Sequence, residues 1–140
     1  MARLISLLSI LICFASCDPG FSVVLSNNSQ ADKNITVLVN DKYPFRLRDS
    51  VLITDTLVSF FEPYKSHVTN IVTHPSQAGN AYSFQLEKGK KVLLQNGIGG
   101  PDLSQRIVVN NTDSISLSKK EKRVLIKRKF MYTTVNIKVE

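Results

Sequence analysis

Residues 81–87 read Ala-Tyr-Ser-Phe-Gln-Leu-Glu, and this short stretch decides the fold class. Apolar and polar residues alternate along it, which is the period of an extended chain and not that of a helix. We therefore predict a strand whose apolar side chains point into a core while its polar side chains face water. The core-facing residues are Tyr82, Phe84 and Leu86. Lys88-Gly89-Lys90 then turns the chain into another β-prone run at residues 91–95.

The same alternation occurs near both ends of the chain, in residues 34–40 and 134–139. The predicted core-facing positions there are Ile35, Val37, Val39, Val135, Ile137 and Val139. Residues 21–27 form a further β-rich run that ends in a turn-prone Asn-Asn-Ser-Gln segment. We expect this run to pair antiparallel with residues 34–40, because the two follow each other directly in sequence.

Shorter β-prone pieces occupy the rest of the chain. They are residues 51–53, 57–61, 68–73 and 105–110. Pro63 and Pro75 limit these pieces, since proline cannot donate to a central ladder. Many short strands separated by Gly, Asn and Pro predict a mostly β protein built as an antiparallel β-sandwich, Ig-like or similar. The strand order stays open at this point.

One segment near the C-terminus departs from this pattern. Ser118 and Glu121 have the Ser-x-x-Glu spacing of a helix capping box, and residues 122–129 contain no turn former. We expect one short basic C-terminal helix here. The alternative is that residues 123–129 form a basic edge strand.

The N-terminus has the three parts of an export signal. Arg3 provides the positive charge, residues 4–14 are mostly apolar, and the small residues Ala15 and Ser16 close the segment. The apolar run is shorter than the roughly twenty residues that a membrane-spanning helix needs. We predict a cleaved signal peptide over residues 1–16, in preference to a buried N-terminal helix.

Two types of processing compete at Cys17. A signal peptidase that selects small residues would cut after Ala15 or after Cys17, whereas Phe14-Ala15-Ser16-Cys17 resembles the lipobox of bacterial lipoproteins. Cys13 would leave with the signal peptide, so the exported chain would hold a single thiol, which is unusual unless that thiol is acylated. We therefore predict lipidation of Cys17 and stable membrane anchoring through its acyl chains.

Removing residues 1–16 from the 140 leaves 124 residues and lowers the formal net charge from +7 to +6. This length suits one compact domain, and the hydrophobic share of 43% is ordinary for a globular protein. We predict that residues 17–140 form a single β-sandwich domain held together by apolar burial without an internal disulfide.

The sequence contains no recognisable catalytic motif. The Gly-Ile-Gly-Gly-Pro run at residues 97–101 lacks the spacing of a dinucleotide fingerprint, so we predict a wide turn with positive φ. His67 and His74 supply half of the ligands that a metal site needs. We expect no metal, no cofactor and no enzymatic activity. A hydrolase would require a pocket that gathers one of these histidines with an acid or a nucleophile.

A basic cluster is the strongest non-random feature of the sequence. It places seven positive charges within residues 119–129, opposed by Glu121 alone. The seven are Lys119, Lys120, Lys122, Arg123, Lys127, Arg128 and Lys129. No aromatic residues interleave and an exported protein rarely meets nucleic acid, so among binding partners an anionic lipid surface or an acidic glycan is more compatible with the cluster. The alternative is a solvated helix face that keeps the protein soluble.

Three Asn-x-Ser/Thr triplets, at Asn27, Asn34 and Asn110, have the pattern of N-glycosylation acceptors. They support a rival interpretation in which the chain is a soluble secreted module of a eukaryote. Asn-rich turns also produce such triplets by chance, and they carry no meaning in a bacterial lipoprotein.

Two parts of the sequence are informative when they are taken together. The N-terminal part is Ser16-Cys17-Asp18-Pro19-Gly20, a strand ending in Asn-Asn-Ser, the run Ile35-Thr-Val-Leu-Val39 and a Tyr43-Pro44 turn. The C-terminal part is Asp113-Ser-Ile-Ser-Leu-Ser-Lys-Lys-Glu121 with a basic stretch and a last strand after it. In this combination the sequence resembles small envelope lipoproteins of Bacteroidota-type bacteria. The resemblance covers residues 50–80 less well, and none of its motifs is catalytic. It implies a location in the cell envelope and no assigned activity.

Two hypotheses of different classes follow. The first is a lipid-anchored cell-envelope protein with a binding or structural role, anchored in a membrane and facing the periplasm or the cell surface. The alternative is a soluble secreted β-sandwich module that binds glycan or protein.

Overall fold

A computed structural model describes residues 19–39, 51–54, 71–73, 76–118, 120–129 and 132–140. The described residues are mostly β, and none of them lies in a helix. The strands are β1 (Gly20–Asn27), β2 (Lys33–Leu38), β3 (Val51–Thr54), β4 (Ile71–Thr73), β5 (Ser76–Ala78), β6 (Ala81–Leu86), β7 (Lys91–Ile98), β8 (Arg106–Val109), β9 (Asp113–Ser116), β10 (Val124–Lys129) and β11 (Tyr132–Val139).

These strands form two sheets. The first sheet has the order β10-β11-β1-β7-β3-β4, and the second has the order β5-β6-β2-β8-β9. Among the described pairs, β1 and β11 run parallel and the others run antiparallel. The mostly β, antiparallel-rich prediction is confirmed. A single hydrophobic cluster takes side chains from both sheets, for example Leu25 of β1 and Ile35 of β2.

The alternation read from the sequence predicts the core correctly. Tyr82, Phe84 and Leu86 are all buried, while Gln85 between them is exposed. The six core positions predicted near the two ends of the chain are buried as well. Period two therefore identifies the core face wherever a strand has one face in water.

The predicted antiparallel pairing of residues 21–27 with residues 34–40 is wrong. β1 lies between β11 and β7 in the first sheet, and β2 lies between β6 and β8 in the second. The segment between β1 and β2 therefore carries the chain from one sheet to the other. Nearly all of β1 is buried, so this strand gains more as a central strand with two partners than as one arm of a local hairpin.

Asn27 holds this crossing in place. Its side chain is fully buried, and its amide donates to the carbonyls of Ala31 and Leu86, both at 2.9 Å. Its Oδ1 accepts from the backbone N–H and the hydroxyl of Ser29. The backbone of Asn27 is bonded to the turn before β7, since its N–H donates to Lys90 and its carbonyl accepts from Gly89. This one residue thus connects the end of β1 to the strand ends of both sheets.

Two turns have the backbone that their residues favour. Gly89 has φ 75°, as the Lys-Gly-Lys turn requires, and this turn carries the chain from β6 in the second sheet to β7 in the first. Asn110 and Asn111 have φ 51° and 58°, and the Thr112 N–H donates to the Val109 carbonyl. These are the features of a type I′ turn, which matches the twist of the β8–β9 hairpin.

The glycine-rich turn begins later than predicted. β7 continues to Ile98, so Gly97 lies within the strand, and the positive φ expected for the loop is found at Gly99, where it is 99°. A Cβ atom at Gly97 would lie 3.2 Å from the Phe21 ring. The glycine at position 97 therefore makes room for a core side chain.

The predicted C-terminal helix is wrong, and the alternative of a basic edge strand is correct. Glu121 N–H donates to the Ser118 carbonyl and Val124 N–H to the Glu121 carbonyl, which makes two successive turns. β10 then pairs with β11 over its full length. Buried Val124 and partly buried Ile126 alternate with exposed Leu125, so burial with period two prevails over the capping-box spacing.

Several predicted features lie outside the described residues. They are the signal peptide over residues 1–16, Cys17, the strand at 57–61, the Tyr43-Pro44 turn, His67, His74 and Lys119. The predicted piece at residues 51–53 corresponds to β3, and β4 covers the last part of the piece at 68–73.

We predict that Asn27→Ala lowers the free energy of unfolding by about 2 kcal/mol, because it leaves the Leu86 carbonyl buried without this donor. Urea unfolding followed by circular dichroism measures the loss. Asn28→Ala in the same turn is the control, since Asn28 is exposed and its replacement should change stability by less than about 0.5 kcal/mol. Equal losses in the two variants would contradict the role given to Asn27.

Candidate functional site

The register of the first sheet brings four residues from distant parts of the chain into one row. Lys129 pairs with Tyr132, Tyr132 pairs with Gly20, and Gly20 pairs with Ile98. We call this row, at the start of β1, the end row. Neighbouring strands lie roughly 4.8 Å apart, so Lys129 is about 10 Å from Gly20 across the sheet.

The end row is also the part of the described domain nearest in sequence to Cys17. The Pro19 carbonyl accepts a hydrogen bond of 2.7 Å from the Gly99 N–H, which fixes the start of the described chain beside the end of β7. Cys17 itself lies outside the described residues. It precedes Pro19 by two residues, and two residues of extended chain span at most roughly 7 Å.

Aromatic packing fills the centre of the end row. A Cβ atom at Gly20 would lie 2.8 Å from Cδ2 of Tyr132, so the tyrosine ring occupies the space over the glycine. On β7, Gly97 approaches the Phe21 ring in the core, and Ile98 therefore projects from the opposite face. Ile98 is 71% exposed, the largest value among the exposed large hydrophobic residues of the described chain.

The basic cluster of the sequence is divided by the fold. Lys127, Arg128 and Lys129 lie at the end of β10 and are exposed, beside the start of β11. Lys120 and Lys122 lie in the connection before β10 and are exposed too. The length of β10 separates Lys122 from Lys129, a distance on the order of 20 Å. The described charges of the cluster therefore do not form one continuous surface.

Arg123 has a structural partner on each side. Its guanidinium donates to Asp113 at the start of β9, to Glu121 at 3.1 Å and to the Ser114 carbonyl at 3.3 Å. Because β9 is the edge of the second sheet and β10 the edge of the first, this ion pair joins the two edges. Hydrogen bonds from Arg123 hold the pKa of both carboxyl groups below their ordinary values, and both carboxylates raise the pKa of Arg123.

A shallow concave surface of about 480 Å³ runs along β10. Its described lining residues are Val124, Leu125, Ile126 and Arg128. Leu125 and Lys127 lie on the outer face of the strand, whereas Val124 and Ile126 pack toward the core. The surface is open, and it contains apolar side chains with one guanidinium and no carboxylate among the described lining residues.

The Asn27 triplet cannot serve as a glycan acceptor in the folded domain. Its amide nitrogen is buried and already donates two hydrogen bonds. Asn34 and Asn110 are both exposed, and the Asn34 N–H donates to Oδ1 of Asn110. These three triplets therefore give less support to the secreted glycoprotein than their number suggests.

Within the described ranges, no group of three or more His, Cys, Asp or Glu side chains is arranged to hold a metal ion. The part of the chain that the structure describes also contains no helix with the length and apolarity needed to span a membrane. No protein-family model matches the chain, and no curated protein matches it.

Sequence reasoning missed the end row as a unit. It identified Cys17 and the three basic residues of β10 separately, but it did not predict the parallel pairing that places the basic end of β10 close to Gly20. Ile98 was included only in a glycine-rich turn. A run of uncharged residues from 96 to 101 around one isoleucine is the signal that was present in the sequence.

We predict that Arg123→Gln lowers the free energy of unfolding at neutral pH by less than about 1 kcal/mol, because the Asp113 side chain is half exposed. Carboxyl groups with a depressed pKa stabilise the fold above their ordinary values of 3.8 and 4.5, and this contribution is lost as the pH falls through the folded-state values. The difference between wild type and variant should therefore begin to shrink as the pH falls below the ordinary values, and it should close only below the lowered folded-state pKa values.

Urea unfolding at neutral pH and at acid pH tests this. Arg128→Gln is the control, since it removes the same charge. The control should show a smaller loss at neutral pH, because Arg128 is exposed at the far end of β10. A difference between wild type and Arg123→Gln that is independent of pH would mean that packing and not charge is responsible.

Proposed function

We propose that this chain is a lipid-anchored protein of the cell envelope with a binding or structural role and no enzymatic activity. Its anchor is an acylated Cys17, and the basic residues at the end of β10 contact the anionic surface of the same membrane. The two sheets and their shared hydrophobic cluster support a β-sandwich as the folded body.

The observation that carries the proposal is the shared end row. Lys129 lies two strands from Gly20, and Gly20 follows Cys17 by three residues. An acyl group on Cys17 would therefore hold this end of the first sheet close to the lipid headgroups. Lys127, Arg128 and Lys129 are the described cationic side chains of β10 nearest that point, and all three are exposed.

The energies involved suit this division of roles. Several acyl chains on one cysteine give stable anchoring, at about 0.8 kcal/mol per buried methylene. Each Lys or Arg close to anionic lipid adds about 1 kcal/mol. The lipid therefore accounts for attachment, while three charges on one side of the anchor orient the domain. Arg123 is left out of the proposed contact because Asp113 and Glu121 neutralise it.

We predict that the native mature protein begins at Cys17 and is heavier than its amino acids by a diacylglyceryl group and an amide-linked acyl chain. Intact-mass spectrometry of the membrane-extracted protein measures this directly. Cys17→Ala should abolish the added mass, because the sulfur atom carries the diacylglyceryl group and the amide-linked chain is added to the α-amino group of the same cysteine only after cleavage. A wild-type mass equal to that of an unmodified chain starting at residue 16, 17 or 18 would reject the anchor and favour the soluble secreted module.

We predict that replacing Lys127, Arg128 and Lys129 with Gln weakens binding to phosphatidylglycerol vesicles on the order of a hundredfold, since three contacts of about 1 kcal/mol are lost. The measurement is cosedimentation of the leaderless chain 17–140 carrying Cys17→Ser, so that only the protein surface contributes.

The matched control replaces Lys120, Lys122 and Lys138 with Gln, which removes the same charge from exposed positions away from the end row. Equal weakening in both triple variants would mean that net charge alone attracts the domain to lipid. Unchanged vesicle binding with weakened binding to an acidic polysaccharide would instead assign the basic end to glycan.

A further inference from the structure

Ile98 is the most exposed large apolar side chain among the described residues. It is the last residue of β7, it is 71% exposed, and it shares the end row with Gly20. Leu38 and Leu125, the other large hydrophobic residues exposed in the described chain, are 37% and 48% exposed. Single exposed apolar residues are common on protein surfaces, so it is the position of Ile98 in the end row that matters, and covering it with an apolar layer would gain free energy.

The sequence on either side of Ile98 contains no charged residue between positions 96 and 101. Residues 96–101 read Asn-Gly-Ile-Gly-Gly-Pro, and the positive φ of Gly99 turns the backbone directly after the isoleucine. The hydrogen bond from Gly99 to Pro19 connects this tip to the chain segment that follows Cys17. The tip is therefore small, uncharged and held beside the proposed point of lipid attachment.

The end row thus presents an apolar side chain at one end and a cation at the other. Ile98 and Lys129 are separated by Gly20 and by the Tyr132 ring that covers it. An aliphatic residue beside basic residues is the combination by which protein surfaces bind the boundary between headgroups and acyl chains of an anionic bilayer. Both side chains lie within roughly 10 Å of Gly20 across the sheet.

We infer that Ile98 inserts into the headgroup boundary of the membrane that holds the acylated Cys17, so that the domain stands on the end row of the first sheet. This inference rests on the proposed function, and it adds the residue that enters the lipid and the orientation of the domain. The occupant of the Ile98 surface is the anionic bilayer itself.

A second orientation, with the outer face of the first sheet flat on the membrane, is less compatible with the geometry. It would bring Leu125 and Lys127 into contact with the lipid. Leu125, however, is four residues from Lys129 and so about 13 Å from the end row. The described chain enters the sheet at Gly20 in the end row, and β1 runs away from that row. A domain tethered just before Gly20 therefore stands upright, with β1 running away from the membrane.

The chain contains no tryptophan, so one introduced tryptophan reports on its own surroundings. The experiment compares Ile98→Trp with Leu125→Trp in the full-length protein, expressed as the natural acylated form and reconstituted in vesicles of phosphatidylethanolamine and phosphatidylglycerol. Both positions are exposed and both substitutions preserve charge. Thermal unfolding in detergent checks that each variant is folded.

For Ile98→Trp we expect a blue shift of the emission on reconstitution and quenching by lipids brominated close to the headgroup. For Leu125→Trp we expect emission typical of water and little quenching. If the mass shows acylation but Ile98→Trp emits as a tryptophan in water does, the insertion is overturned and the lipid anchor stands. Equal quenching at both positions would establish the flat orientation and overturn the upright one. A mass without acyl groups would reject both the anchor and the insertion that rests on it.

Discussion

The parallel ladder between the first and last strands is the constraint on which the rest of the structure depends. It pairs Gly20–Asn27 with Tyr132–Val139, so the first and last described strands lie side by side inside one sheet. Parallel neighbours cannot be joined by a short hairpin, and here almost the whole domain forms the connection. The ladder also places the basic end of β10, which pairs with β11, beside the start of β1. The candidate site exists because of this non-local pairing.

Polar groups at two points then determine how the sheets are joined. The Asn27 side chain donates to the Ala31 carbonyl, in the segment between β1 and β2, and to the Leu86 carbonyl, at the end of β6. The backbone of Asn27 is bonded to the turn between β6 and β7. Arg123 joins the edge strands β9 and β10 through Asp113. The Asn27 link is buried, whereas the Arg123 ion pair is partly exposed, so their loss lowers the free energy of unfolding by different amounts. A buried amide or carbonyl left unpaired is strongly destabilising, while an exposed ion pair contributes little.

Sequence reasoning predicted most of the longer strands and their core faces, but it missed the short strands β5 and β9 and the assembly of the sheets. Alternation in Tyr82, Phe84 and Leu86 is a local property, and the buried set follows it closely. Strand order depends on contacts between distant residues, so the adjacency of β1 and β2 in sequence was a poor guide. The segment at 118–129 failed for a related reason: the Ser-x-x-Glu spacing is local, whereas the six pairings of β10 with β11 decide the outcome. The basic residues of β10 were found from the sequence, but their proximity to the start of β1 was not.

The position of β1 has a mechanical consequence for a domain held by its N-terminus. A pull applied before Gly20 acts along the axis of a strand that is bonded to β11 on one side and β7 on the other. Ladder hydrogen bonds lie across the strands, so such a force loads both rows in shear, all bonds together, instead of peeling them one at a time. An edge strand pulled in the same direction would be held by one row of bonds instead of two. The central position of β1 therefore makes the folded domain more resistant to a pulling force that a tether before Gly20 would apply to it.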